Sequence, residues 1–218
     1  MLTTLYDSVR EAGIPVHFAC EVGVYLPDES NVLGWIAAGV RSTLVECDPV
    51  TVLALRERFG ALAHVTIEEV AVADAAGTLT MYRKGASTFG SNVPRSPAQV
   101  NDKYVPDPVD SFEARAVTFD TIDDGRIDVL AIDIEGGEWF ALRCMRSRPA
   151  VISVETHGKR YVNPFLSEIT EWATTEGYGA WYHDATDTVF RRGWTAPVED
   201  RSPARSWFRR AKRALRGA

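Results

Sequence analysis

Five carboxylates stand at or near the ends of apolar runs in this chain. Glu21 lies at the end of VHFACEV (16–22), Glu46 closes STLVE (42–46), and Glu69 sits near the end of HVTIEEVAV (64–72). Asp133 closes IDVLAID (127–133) and Glu155 closes AVISVE (150–155). One acid at a strand end needs only solubility or a helix dipole to explain it; five on one rim of one sheet call for a ligand. Glu46 follows Gly23 by 23 positions. An acid at that interval after a glycine turn, at the tip of the second strand, accepts two hydrogen bonds from vicinal ribose hydroxyls and repels a 2′-phosphate.

The loop FACEVGVYLPDESNV (18–32) says which nucleoside cofactor suits that acid. A diphosphate needs successive free backbone N–H groups and avoids negative charge. This loop has one glycine, Gly23, a proline at 27 with no N–H to give, and the acids Glu21, Asp28 and Glu29. Ammonium and sulfonium groups are stabilised by such acids, so the loop suits S-adenosylmethionine and not NAD.

The elements that must carry these residues alternate. Strands are expected at 16–22, 42–46, 64–72, 78–83, 114–118, 127–133 and 150–155, and a hairpin at 179–183 and 187–191 across DAT. Helices are expected at 29–38, from Asp48-Pro49 to near Gly60, from about 137, and from Asn163-Pro164 to Gly177. Uniformly apolar strands alternating with helices predict an α/β fold with a doubly wound, mainly parallel sheet and an antiparallel edge hairpin. Ligands in such sheets lie beyond the carboxyl ends of the strands, where strand order reverses.

The ordered set EVGVYLPDES, LVECDP, EEVAVADAAGTLTMY, STF, VTFDTIDDGRIDVLAIDIEGGEWFAL and VISVETHG resembles the FkbM family of S-adenosylmethionine-dependent methyltransferases over roughly residues 15–192. The resemblance implies a class I methyltransferase fold, Rossmann-like, with seven strands. It implies that Glu21 and Gly23 belong to the loop that holds the methionine part, that Glu46 is the ribose ligand, that Glu69, Val70 and Ala71 form the adenine edge, and that Tyr25, Cys47 and Asp133 also border the cofactor. It also implies a hydroxyl acceptor on a saccharide, glycan or natural product. The chain departs from the family pattern at Glu21, where aspartate is usual, at Pro27, in place of a second loop glycine, and at Ala131, in place of a lysine.

Methyl transfer to a hydroxyl requires in-line placement and a proton acceptor. IDIEGGE brings Asp133 and Glu135 to a strand end beside Gly136-Gly137, and VETHG brings Glu155 and His157 to the neighbouring one. His157 is the expected base, oriented by these carboxylates. The same four groups are compatible with a divalent cation, although no spacing requires a metal. Glu135 and Glu138 also read as acids at a helix N-terminus. The segment 84–110, with four prolines, is expected to cover the acceptor through Ser87, Thr88 and Phe89.

The net charge of −6 divides unevenly: residues 1–200 carry 17 basic and 30 acidic side chains, or −13, and 201–218 carry +7. An acidic body repels phosphates, so no nucleic-acid partner is expected. The expected division is a methyltransferase domain at 1–195 and a basic tail at 196–218. The tail's basic amphipathic pattern suits an anionic membrane surface, an acidic face of the same or another subunit, or solvent. No apolar run of eighteen residues occurs, no secretory leader is read at the start, and Cys20, Cys47 and Cys144 lack ligand spacing, so a reducing, cytoplasmic setting is expected. The reading is therefore an S-adenosylmethionine-dependent O-methyltransferase; the alternative is a protein of this fold that binds the adenosyl cofactor or a glycan without turnover.

Overall fold

The computed structural model describes residues 4–202; most of the basic tail, and with it the expected membrane or subunit contact, lies outside the described residues. In chain order the elements are α1 (Leu5–Glu11), β1 (Phe18–Val22), α2 (Leu33–Ala37), β2 (Arg41–Glu46), α3 (Pro49–Phe59), β3 (Val65–Glu69), β4 (Ala71–Val72), β5 (Gly77–Tyr82) and β6 (Phe89–Gly90). There follow α4 (Pro97–Asn101), β7 (Ser111–Val117), β8 (Val129–Ile132), α5 (Glu138–Leu142), β9 (Val151–Glu155), α6 (Leu166–Thr175), β10 (Tyr178–His183), β11 (Asp187–Arg192) and β12 (Glu199–Asp200).

The main sheet runs β3-β2-β1-β8-β9-β11-β10-β12. β3, β2, β1, β8 and β9 are parallel, β11 is antiparallel to both β9 and β10, and β12 is parallel to β10. The α/β architecture is as expected, but the sheet is mixed and has eight strands, not seven. Two residues of β12 add the eighth, so the sheet continues past the 195/196 boundary, and Arg201 fastens it further: its N–H donates to His183 O at 2.7 Å and its guanidinium to Ser8 Oγ at 2.9 Å. So short a strand carries no periodicity that a sequence could reveal.

Strand alternation explains why both faces are covered. Phe18, Cys20, Val22, Leu130, Ile132, Ile152 and Val154 pack on one side, while Ala19, Val129, Ala131 and Val151 pack on the other. Ala131 thus sits in the apolar layer, 1% exposed, with Glu21 and Ser153 as its register partners. It is part of the sheet's packing and not of a reaction site.

A second, four-stranded sheet, β4-β7-β5-β6, was not foreseen. The run 64–72 is two strands: Val70 donates its N–H to Glu46 O, and the chain then leaves the main sheet to pair Ala71 with Ala116. β5 lies antiparallel to β7 with Leu79 opposite Ala114. The excursion closes on itself, since Ala73 N–H donates to Val117 O at 2.9 Å. Within it, the segment expected as a loop is built. Ser96 and Gln99 form a reciprocal cap on α4, and Phe89 is 1% exposed, packed between Tyr82 and Tyr104.

Local signals placed the turns well. Asp48 accepts from Val50 N–H and Pro49 opens α3; Asp184 accepts from Thr186 and Asp187 N–H across the hairpin. The helix expected at 29–38 is only a turn at Pro27–Glu29 followed by the five-residue α2.

Candidate active site

Strand order reverses between β1 and β8, and a partly enclosed cleft opens there. Its walls include Gly23, Val24 and Tyr25 after β1, Glu46, Cys47 and Asp48 after β2, and Val70 and Ala71 beyond β3. The second sheet contributes Leu79 and Met81, the covering segment Thr88 and Asn92, and the turn after β8 Asp133 and Glu135.

Gly23 makes the floor. Its φ is +85°, and a Cβ there would stand 1.7 Å from the Asp133 carbonyl oxygen. Only glycine lets the two strand ends approach this closely. Glu46 ties the neighbouring loops together: Oε2 accepts from Val24 N–H at 3.0 Å, and Oε1 accepts from Cys47 and Asp48 N–H, both at 2.7 Å. Burial pushes its carboxyl above the ordinary range while these N–H donors pull it back. Arg83 from the second sheet clamps Asp48 through two hydrogen bonds, at 2.6 and 2.9 Å.

Two expected cofactor contacts lie elsewhere. Glu21 is 2% exposed and is not in the cleft wall. It accepts from Ser30 Oγ at 2.5 Å and from Asn31 N–H and Nδ2 at 2.9 and 3.0 Å, so it holds the turn leading into α2. Glu69 is exposed and ion-paired with Arg56 at 2.8 Å; only its neighbours Val70 and Ala71 reach the cleft.

The turn after β8 is the most constrained part of the site. Glu135 has φ +58°, a left-handed conformation costly for a side chain of this size, and Gly136 follows at +105°. Glu138, fully buried, fastens that turn by accepting Ile134 and Gly136 N–H on Oε1 at 2.9 and 3.1 Å. Its Oε2 accepts from Asn163 Nδ2, which also donates to the Glu155 carbonyl. Burial, then the neighbouring carboxylates Asp133 and Glu138, push Glu135 up to about 9, and the Ser87 hydroxyl hydrogen-bonds it from the covering segment. Burial, then Asp187 and Glu138, raises Asp133, and burial, then Asp133, Glu135 and Glu138, carries Glu155 to about 11.

Asp133 and Glu135 therefore meet in the cleft, with Glu155 packed against Asp133 behind them. His157 does not join them. Its Nδ1 bonds Thr156 Oγ1 at 2.9 Å and Nε2 the Asp184 carbonyl at 3.3 Å, and its ring stands edge-on to His183 beside a separate shallow hollow. The chain turns away after Thr156, whose N–H and that of His157 both donate to Thr186 O. Of the three expected acceptor contacts, Thr88 lines the cleft, Ser87 reaches Glu135, and Phe89 is core. Sequence reading passed over Tyr161, took Asn163 only as a helix start, and took Glu138 only as a helix-end acid.

A mixed α/β sheet with its cleft at the reversal point, an acid at the tip of β2 and an acidic turn after β8 defines a methyltransferase-like protein. The model for the methyltransferase FkbM domain matches residues 21–179, and the chain belongs to that family. No curated protein matches the chain. Among solved structures it is similar to a predicted O-methyltransferase, protein Atu636, from Agrobacterium tumefaciens (15% identity, 85% of this chain and 78% of that one, TM-score 0.41). It is also similar to a protein described under the conversion of a disulfide bond into a thioacetal group during echinomycin biosynthesis (13%, 98% and 88%, 0.45). A third is the mitomycin 7-O-methyltransferase MmcR (16%, 82% of this chain but 49% of that one, 0.40).

Proposed function

We propose that the chain is an S-adenosylmethionine-dependent O-methyltransferase whose acceptor is a hydroxyl of a saccharide, glycan or other natural product. One observation carries this reading: a single cleft holds Glu46 at one strand tip and Asp133 with Glu135 at another, joined by a floor that only Gly23 permits.

The residues fit the adenosyl cofactor better than a dinucleotide. The N–H groups that would cradle a diphosphate are already used, Gly23 N–H by Val45 O and Val24 N–H by Glu46. Glu46 would take the ribose hydroxyls, Val70, Ala71 and Cys47 the adenine side, and Asp133 the cationic end. When bound, S-adenosylmethionine supplies an electrophilic methyl carbon. The chain's part is to place a hydroxyl oxygen in line and take its proton. Glu135 in its ionised form, which gains population as the pH rises toward about 9, is the acceptor for that proton, because it faces the cleft with one oxygen, Oε2, that has no partner among the described residues. Small polar groups around it, Thr88 and Asn92, suit a hydroxyl-rich ligand. The functional division is proposed as one methyltransferase domain that includes β12 and Arg201, followed by the rest of the tail, with an acceptor of small-molecule or saccharide type and no nucleic acid.

Calorimetry tests the cofactor. S-adenosylmethionine and S-adenosylhomocysteine are expected to bind, NAD not, and Glu46→Ala is expected to weaken the first two by at least about tenfold, the value of one charge-assisted hydrogen bond or more. Preference for NAD, or undiminished affinity in the variant, would overturn the assignment.

A further inference from the structure

Behind the cleft, Asp133, Glu138 and Glu155 each offer a carboxylate oxygen, all within 4.8 Å of one another. Their strongest electrostatic neighbours are other carboxylates, and among the described residues no Lys or Arg side chain hydrogen-bonds or ion-pairs with any of the three. Independent of the acids, the Tyr161 hydroxyl points at the same place. It is 1% exposed, has no hydrogen-bond partner among the described residues, lies against the Gly136 backbone, and feels all three acids of the cluster together with Glu135. Glu155, 6% exposed, likewise keeps Oε2 without a partner, and so does Asp133 with Oδ1. Buried polar atoms are almost always satisfied, and a convergent set left open marks a place for a ligand.

We propose that Asp133, Glu138 and Glu155 form a binding site for one divalent cation of the magnesium or calcium type, with Tyr161 completing its shell. The donor set is oxygen only, which selects hard cations over zinc or copper. The spacing agrees: oxygens on opposite sides of a calcium ion stand roughly 4.6–5.2 Å apart, and around magnesium roughly 4.0–4.2 Å. Oxygens lying within 4.8 Å of one another admit either ion. Glu138 is held for this by its three N–H donors, which leave it anchored as a ligand should be. Because Asp133 also lines the cleft, the ion sits where it can meet an acceptor oxygen. That catalytic use rests on the methyl-transfer reading; the site itself does not.

The test uses the full chain stripped with EDTA, with Mn2+, Mg2+ and Ca2+ each added alone. One cation per chain is expected by equilibrium dialysis and, for Mn2+, by electron paramagnetic resonance. At a hundredfold excess over Kd the melting temperature should rise by about 5–10 °C. Glu155→Gln should cut affinity at least tenfold, and Tyr161→Phe, which keeps the core filled, by a smaller factor. Absence of stoichiometric binding to the wild type overturns the site whatever the variants do, as does unchanged affinity in a folded Glu155→Gln. S-adenosylmethionine calorimetry on the same stripped sample separates the two readings. Cofactor binding in a chain that takes no cation sinks only the ion site, and cation binding in a chain that takes no cofactor upholds the site and sinks the cofactor.

Discussion

Gly23→Ala is expected to cost about 4 kcal/mol or more of folding stability and to abolish cofactor binding. The added methyl would stand 1.7 Å from the Asp133 carbonyl oxygen, so β1 and β8 must part at their carboxyl ends. Three consequences meet there: the Asp133 N–H to Val22 O hydrogen bond is strained, the cleft floor rises, and Asp133 shifts relative to Glu46. Against a typical total stability of about 5–15 kcal/mol, such a loss is large. Gly13→Ala is the control, because Gly13 has φ +67° but nothing within 4 Å of its missing Cβ. It carries the backbone penalty alone, about 1 kcal/mol. Urea midpoints of the two variants measure the difference, and equal midpoints would show that the close approach at Gly23 has been misjudged.

Glu135→Gln is expected to lower kcat on the order of 10²-fold or more while leaving S-adenosylmethionine affinity within a fewfold of wild type. Glutamine keeps the shape and the Ser87 contact but cannot take a proton. Glu135→Gly should behave differently in a revealing way. It relieves a left-handed backbone, so the folded state is expected to gain up to about 1 kcal/mol while turnover falls as far as in Glu135→Gln. A strained residue that can be removed with a gain in stability and a loss of rate is held for its chemistry. The rival assignment is examined by His157→Gln: a rate loss confined to the histidine variant would return the proton-accepting role to His157.

How far the sequence could be read differs between parts of the site. The parallel core was legible because its central strands β1, β8 and β9 are buried on both faces and mostly apolar, and helix starts such as Asp48-Pro49 announce themselves locally. The place of Glu46 in the cleft wall was legible too, because it depends on an interval along the chain. Glu21 was not, since an acid at a strand end looks alike whether it faces a ligand or, as here, holds Ser30 and Asn31. His157 failed similarly, because the direction taken after Thr156 is set by the hairpin beside it. The second sheet was invisible for a different reason: β5 and β7 are separated by the whole covering segment, and pairing at that distance leaves no periodic trace. Asn163 matters through Glu138 on α5, 25 residues earlier, and Tyr161 through the Gly136 turn beside its hydroxyl, and neither approach leaves a trace in the sequence.

The closed excursion between Ala73 and Val117 has a bearing on how this chain can be altered. It departs from and returns to the same point, carries Leu79, Met81, Thr88 and Asn92 into the cleft, and contains neither Gly23, Glu46 nor Asp133. It is thus a cassette: one edge decides what is presented to the reacting centre, while the machinery on the other edge is held by separate strands. Grafting the corresponding segment from a relative is expected to exchange acceptor preference and keep S-adenosylmethionine affinity, provided that Arg83, which reaches out of the cassette to Asp48, is retained as its latch.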